Sequence, residues 1–120
     1  MKLREVAAII GATFISGEEQ AEMEIISVCA SDLMSDVLAF SSPRVLLLTG
    51  LTNAQSIMTA DVADVAAVAY VRGKRPENGT VELAKQKGIP VLACGLAMFE
   101  ACGRLFARGL LPGSSVEESQ

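Results

Sequence analysis

VLLLTG (45–50), AVAYVRG (67–73) and PVLACG (90–95) are three apolar runs of one design, each rich in Val, Leu or Ala and each ended by a glycine. The closing glycines, Gly50, Gly73 and Gly95, follow one another at about two dozen residues, and a helical pattern fills each interval. That is the cadence of strand, turn and helix units, which assemble into a parallel sheet. None of the runs alternates polar with apolar residues, as a strand does when one of its faces meets water. Strands covered on both faces by helices read in this unbroken way. The fold class expected is therefore α/β, a single layered domain with a mainly parallel central sheet flanked by helices.

The intervals supply the helices. Thr52 and Gln55 form a capping-box pair ahead of Ala54, Ile57, Met58 and Ala60. Asn78 or Thr80 opens a helix bearing Val81, Leu83 and Ala84, which stops at Gly88 before Pro90. Leu96, Phe99, Cys102 and Phe106 predict the apolar stripe of a last long helix. Upstream, Leu3, Val6, Ala7 and Ile10 fall at i, i+3, i+4 and i+7, one face of a helix ended by Gly11. Thr13 to Ser16 and Met23 to Cys29 read as strands, and Ser31 or Asp32 offers an N-cap for a helix running towards Phe40. From Leu111 onward, LPGSSVEESQ has little to bury, which divides the chain into a domain over 1–110 and a flexible tail over 111–120.

At 120 residues the chain builds one hydrophobic core. Hydrophobic residues make up 51% of it and aromatic residues 4%, so aliphatic side chains must fill the interior. The net charge of -4 repels a phosphate backbone, and no aromatic residues alternate with the short basic group Arg72, Lys74 and Arg75. Nucleic acid is therefore not an expected partner. Nor is a membrane, since no apolar run reaches the roughly 20 residues of a span. No secretion signal is visible, so the expected compartment is the cytoplasm. Cys29, Cys94 and Cys102 lack a CxxC spacing and there is no histidine, so they read as reduced, buried thiols, with neither metal nor cofactor expected.

In open α/β sheets, ligands bind beyond the carboxyl ends of the strands, where turns and helix N-termini present free N–H groups. Three loops mark those ends here. Thr49, Gly50, Thr52 and Asn53 form one, Arg72, Gly73, Lys74 and Arg75 with Asn78 a second, and Cys94 with Gly95 a third. Their hydroxyls, amides and cations suit a small anionic molecule such as a nucleotide. Each loop taken singly also reads as turn and cap geometry, and convergence on one edge is what distinguishes the two. The chain has no GxxxxGK[ST], GxGxxG or GxSxG motif and no histidine base, which opposes familiar hydrolytic chemistry. Asp61 and Asp64 read as a solvated helix face. Cys94 is the one candidate for an activated thiol, with burial as its plainer role.

The LLLTG run (46–50), the helix NAQSIMTA (53–60), the AVAYVRG run followed by KRP, the segment ELAKQKGIPVLACG (82–95) and the final amphipathic helix together resemble the DRTGG domain family, which is similar to the N-terminal domain of HPr kinase/phosphorylase. Near the family's Asp-Arg pair stand Leu51 and Thr52. At its Thr-Gly-Gly stand Val71, Arg72 and Gly73, of which the last glycine matches. The resemblance implies a regulatory or accessory module without a reaction of its own, often attached to CBS or enzyme domains, with an adenine nucleotide as the ligand it suggests. A free-standing copy is then expected to form a homodimer or to dock on a partner protein. Three functions are weighed: first a regulatory, non-enzymatic domain binding a small anionic ligand at the sheet's carboxyl edge, second a protein–protein interaction module with no small-molecule ligand, and last an enzyme, which would need a reactive Cys94.

Overall fold

Right-handed crossovers account for where the helices lie. In the computed structural model, which describes residues 1–113, the chain runs α1 (Leu3–Ile10), β1 (Thr13–Ser16), β2 (Ser27–Ala30), α2 (Met34–Phe40), β3 (Leu46–Thr49), α3 (Ala54–Val62), β4 (Ala67–Tyr70), α4 (Asn78–Lys87), β5 (Val91–Ala93), α5 (Met98–Ala107) and β6 (Leu111–Pro112). One sheet holds all six strands in the order β1-β5-β4-β3-β2-β6. Every pairing is parallel except that of β1, which lies antiparallel to β5. From β2 to β5 the chain advances across the sheet in one direction, and right-handed connections moving that way put α2, α3 and α4 on one face. It then doubles back from β5 to β6, beside β2, so the same handedness puts α5 on the opposite face with α1.

The period of two within each strand divides the core between these faces. Leu46 and Leu48, Ala67, Ala69 and Val71, and Leu92 pack under α1 and α5, while Leu47, Val68, Tyr70 and Val91 pack under α2, α3 and α4. All are buried, which is the physical reason the three runs quoted above show no polar alternation. Tyr70 is the one large polar side chain in this core. Its hydroxyl meets the Ser56 hydroxyl at 2.6 Å, and Ser56 in turn donates to the Asn53 carbonyl at 2.8 Å.

Several local expectations are replaced. Asn53, not Thr52, caps α3, its side-chain oxygen accepting the Gln55 N–H at 3.1 Å. The capping-box spacing fits Thr52, but asparagine one residue nearer the helix is the stronger cap. Neither Ser31 nor Asp32 caps α2. Leu33 precedes that helix without a side-chain cap, Ser31 accepts the Leu33 N–H in a turn before it, and Asp32 is engaged elsewhere. Of the two expected starts of α4, Asn78 is the one found, after Glu77.

On α5 the expected stripe is half met, with Leu96 and Cys102 half-buried against the core. Ala101 and Leu105 are the buried residues, while Phe99 and Phe106 are 90% and 67% exposed. The chain also stays on the sheet past Leu110. Leu111 and Gly113 donate to Ile26 and Val28 at 3.0 and 2.7 Å, making β6 an edge strand whose outward amide position is Pro112, which has no N–H. The rest of the expected tail, 114–120, lies outside the described residues.

Candidate functional site

Connections leave the carboxyl ends of β4 and β5 towards opposite faces of the sheet, to α4 and α5, which makes the gap between them the switch point where open α/β sheets hold ligands. The turn after β4 enters this gap through two successive left-handed residues, Arg72 at φ 62 and Gly73 at φ 70. That conformation costs the arginine about 1 kcal/mol or more. It is held by backbone hydrogen bonds, in which Arg72 and Gly73 donate to the carbonyls of Leu96 and Cys94 at 2.7 and 2.9 Å. The turn's backbone is thereby joined to the loop leading into α5, and the Arg72 side chain crosses to the loop after β2.

There it meets Asp32, which sequence reasoning placed only as an alternative helix cap. One Asp32 carboxylate oxygen accepts the Gly50 N–H at 2.6 Å and the Thr49 hydroxyl at 3.4 Å; the other lies 3.4 Å from the Arg72 guanidinium. The Gly50 N–H foremost, then the Arg72 charge and the Thr49 hydroxyl, hold the carboxyl below its ordinary range against the opposing effect of partial burial. Glycine at 50 leaves room for the Arg72 guanidinium to lie across it, since a Cβ there would push the end of that flexible side chain aside. The missed signal was strand order. Once β2 neighbours β3, the residues after β2 and after β3 share one edge, so an Asp at 32 and a Thr-Gly at 49–50 must meet.

The eight expected site residues fall into three sets. Thr49, Gly50 and Arg72 converge on Asp32. Thr52 and Asn53 are committed to architecture, the first because its carbonyl accepts the Thr80 hydroxyl at 2.9 Å, the second as the α3 cap. Gly73 supplies the left-handed turn, while Lys74 and Arg75 are exposed and have no ion-pair partner among the described residues. Arg75 lies on the far side, beside a shallow cleft of about 340 Å³ between α4 and β1 that Ile15, Asn78, Val81 and Lys85 also line. Helix α5 begins at this edge, after Ala97, without a side-chain cap. Its first N–H groups therefore need another acceptor.

The other candidates have structural employment. Cys94 is buried, donates to the Ile10 carbonyl at 3.2 Å and accepts the Leu96 N–H. Burial raises the pKa of both Cys29 and Cys102, the opposite of activation. Asp61 and Asp64 do not share a helix face. Asp61 pairs with Lys87, and Asp64, left-handed and beyond the end of α3, pairs with Arg44. Among the described residues no cluster of His, Cys, Asp or Glu could hold a metal ion, and no helix is long and apolar enough to cross a membrane.

No protein-family model matches the chain, and no curated protein sequence matches it. Among solved structures it is similar to the CBS and DRTGG domains of the regulatory region of Clostridium perfringens pyrophosphatase, complexed with activator, diadenosine tetraphosphate. The two share 19% sequence identity at a TM-score of 0.71, over 92% of this chain and 47% of that one, so this chain spans about half the length of that structure. The likeness is one of fold, and it coincides with the resemblance read from the strand runs. The chain is a single α/β domain of DRTGG-like fold.

Proposed function

We propose that this is a regulatory, non-catalytic domain that binds a small phosphorylated anion, by class a nucleotide, at the carboxyl edge of its sheet, with Arg72 as the residue that changes partner on binding. The observation that carries this reading is the Arg72–Asp32 pair, two half-exposed groups 3.4 Å apart across the carboxyl end of β3, next to the switch point between β4 and β5. An exposed pair of that kind contributes about 0–1 kcal/mol. A phosphate accepting two charge-assisted hydrogen bonds from the guanidinium competes well with it. Lys74 adds a cation on the same turn, Arg75, beside the far cleft, adds positive charge only at longer range, the start of α5 adds uncapped N–H groups, and Thr49, Gly50, Thr52, Asn53 and Gly73 shape the loops around them. The solved structure of similar fold, complexed with a dinucleotide activator, supports a nucleotide as the ligand class. On this reading the domain works in the cytoplasm, as a homodimer or docked on a partner protein.

Titration calorimetry against mononucleotides, dinucleoside polyphosphates and inorganic phosphate tests the reading. Binding of at least one nucleotide is expected, and Arg72→Ala should weaken it by about tenfold to a hundredfold, the worth of a charged hydrogen bond. No heat from any nucleotide up to millimolar concentration, or an affinity indifferent to Arg72→Ala, would overturn it. A second reading, a module that only holds another protein, draws on a separate observation: the exposed phenylalanines of α5.

A further inference from the structure

Helix α5 carries two apolar stripes, and the sheet uses one. Ala101 and Leu105 are buried against β2 and β3, whereas Phe99, Cys102 and Phe106, at i, i+3 and i+7, border a cleft of about 340 Å³ floored by Val28 and Ala30 of β2 and closed by Leu111 of β6. The cleft lies where the two helices of this face leave the β2–β6 end of the six-stranded sheet uncovered. No charged side chain lines it.

We infer that this face is the seat of a second copy of the same chain, in a twofold dimer in which Phe99 and Phe106 of each copy enter the cleft of the other. This rests on the reading of the domain as self-associating and assigns the surface that does it. Three observations favour a second copy. The first is shape. One surface carries both the projecting rings and the hollow beside them, so it complements itself, as a twofold interface requires.

The second is charge. Two molecules of net charge -4 repel wherever carboxylates meet, but this cleft has none, and the adjoining Glu100 is already paired with Arg104 at 2.8 Å on its own helix. The third is area. A stable interface removes about 600 Å² or more from each partner. Two largely exposed phenylalanines, at about 150–250 Å² apiece when fully covered, supply about half of that, and the cleft walls with Leu111 extend it. Residues 114–120, SSVEESQ, offer one apolar side chain and two carboxylates, a poor chemical match to a chargeless hollow.

Sedimentation velocity of the full chain from micromolar to millimolar concentration, with native mass spectrometry, is the test. A dimer is expected whose dissociation constant rises about 30-fold or more in Phe99→Ser with Phe106→Ser, the loss of a hot-spot pair. Both side chains project into solvent in the monomer, so the variant's circular dichroism and thermal midpoint should stay close to the parent's. Val62→Ser, on the exposed side of α3, should leave the dimer intact. Alkylation of Cys102, followed by peptide mass spectrometry, should slow as the protein is concentrated through its dissociation constant. A chain that is monomeric throughout would overturn both this inference and the self-association it rests on. A dimer indifferent to the phenylalanine changes, or one broken by Val62→Ser, would overturn the assigned face and leave self-association standing. An apolar small molecule retained by the monomer in native mass spectra would reassign the cleft to that molecule.

Discussion

The Asp32 carboxylate holds a backbone N–H, a hydroxyl and a guanidinium more strongly ionised than protonated, so its contribution to stability has a definite pH window. Its folded pKa lies below the ordinary aspartate value of 3.8, so the contribution is present above that value and lost as pH falls through the lower, folded one. Denaturation of the parent and of Asp32→Asn should therefore differ at neutral pH and converge as the pH drops below 3.8. A gap that widens in acid would contradict the assignment. The Tyr70–Ser56 pair makes a second, asymmetric case. Tyr70→Phe removes the outer member of a chain that ends on the Asn53 carbonyl, and should cost about 1 kcal/mol. Ser56→Ala leaves the buried Tyr70 hydroxyl without the partner seen here and should cost more, about 1–3 kcal/mol. Equilibrium urea denaturation of the two variants ranks them. At this scale the sequence was a partial guide. Thr49, Gly50 and Arg72 are legible as residues at strand ends, but Asp32 follows a short, half-buried strand and reads as a cap, since its partners lie 17 to 40 positions away.

Strands and helices were far easier to read than their ends and faces. Leu46–Thr49, Ala67–Tyr70 and Val91–Ala93 are buried on both sides, so an unbroken apolar run identifies each without ambiguity. Helix α5 was misread because it is apolar over more than half its circumference, and a helical wheel does not say which stripe meets a sheet. Here Ala101 and Leu105 are on the buried side of a helix packed on α1, β2 and β3, while the larger phenylalanines are left outside. The reach of β6 was hidden for a related reason. Leu111 and Pro112 contribute backbone hydrogen bonds and an exposed side chain, and neither registers as a hydrophobic signal. Gly17, where the chain leaves β1, is governed by geometry of the same hidden kind. Its φ of 81 is left-handed, and an added Cβ would come within 2.6 Å of the Pro90 Cα. Gly17→Ala should cost about 1–3 kcal/mol, combining backbone strain with displacement of the segment that leads into β5. A thermal midpoint unchanged from the parent would show that this junction yields more readily than its packing implies.

The whole molecule follows from one decision of topology, the reversal after β5. Had the chain continued outward, all its crossover helices would lie on one face and α1 alone would cover the other. By doubling back it sends α5 over that second face, opens the switch point at Arg72 and brings β6 to rest against β2. Handedness dictates the first two consequences once strand order is known, and strand order is what a single sequence withholds. The residue that ends this arrangement is Pro112. Among the described residues both neighbouring amides turn inward to β2, so the one position that would offer a hydrogen to a newcomer has none to offer. Growth of the sheet by annexing another chain's backbone is disfavoured at that position. Association there draws on side chains, which dissociate and discriminate in ways that an extending ribbon of main chain does not.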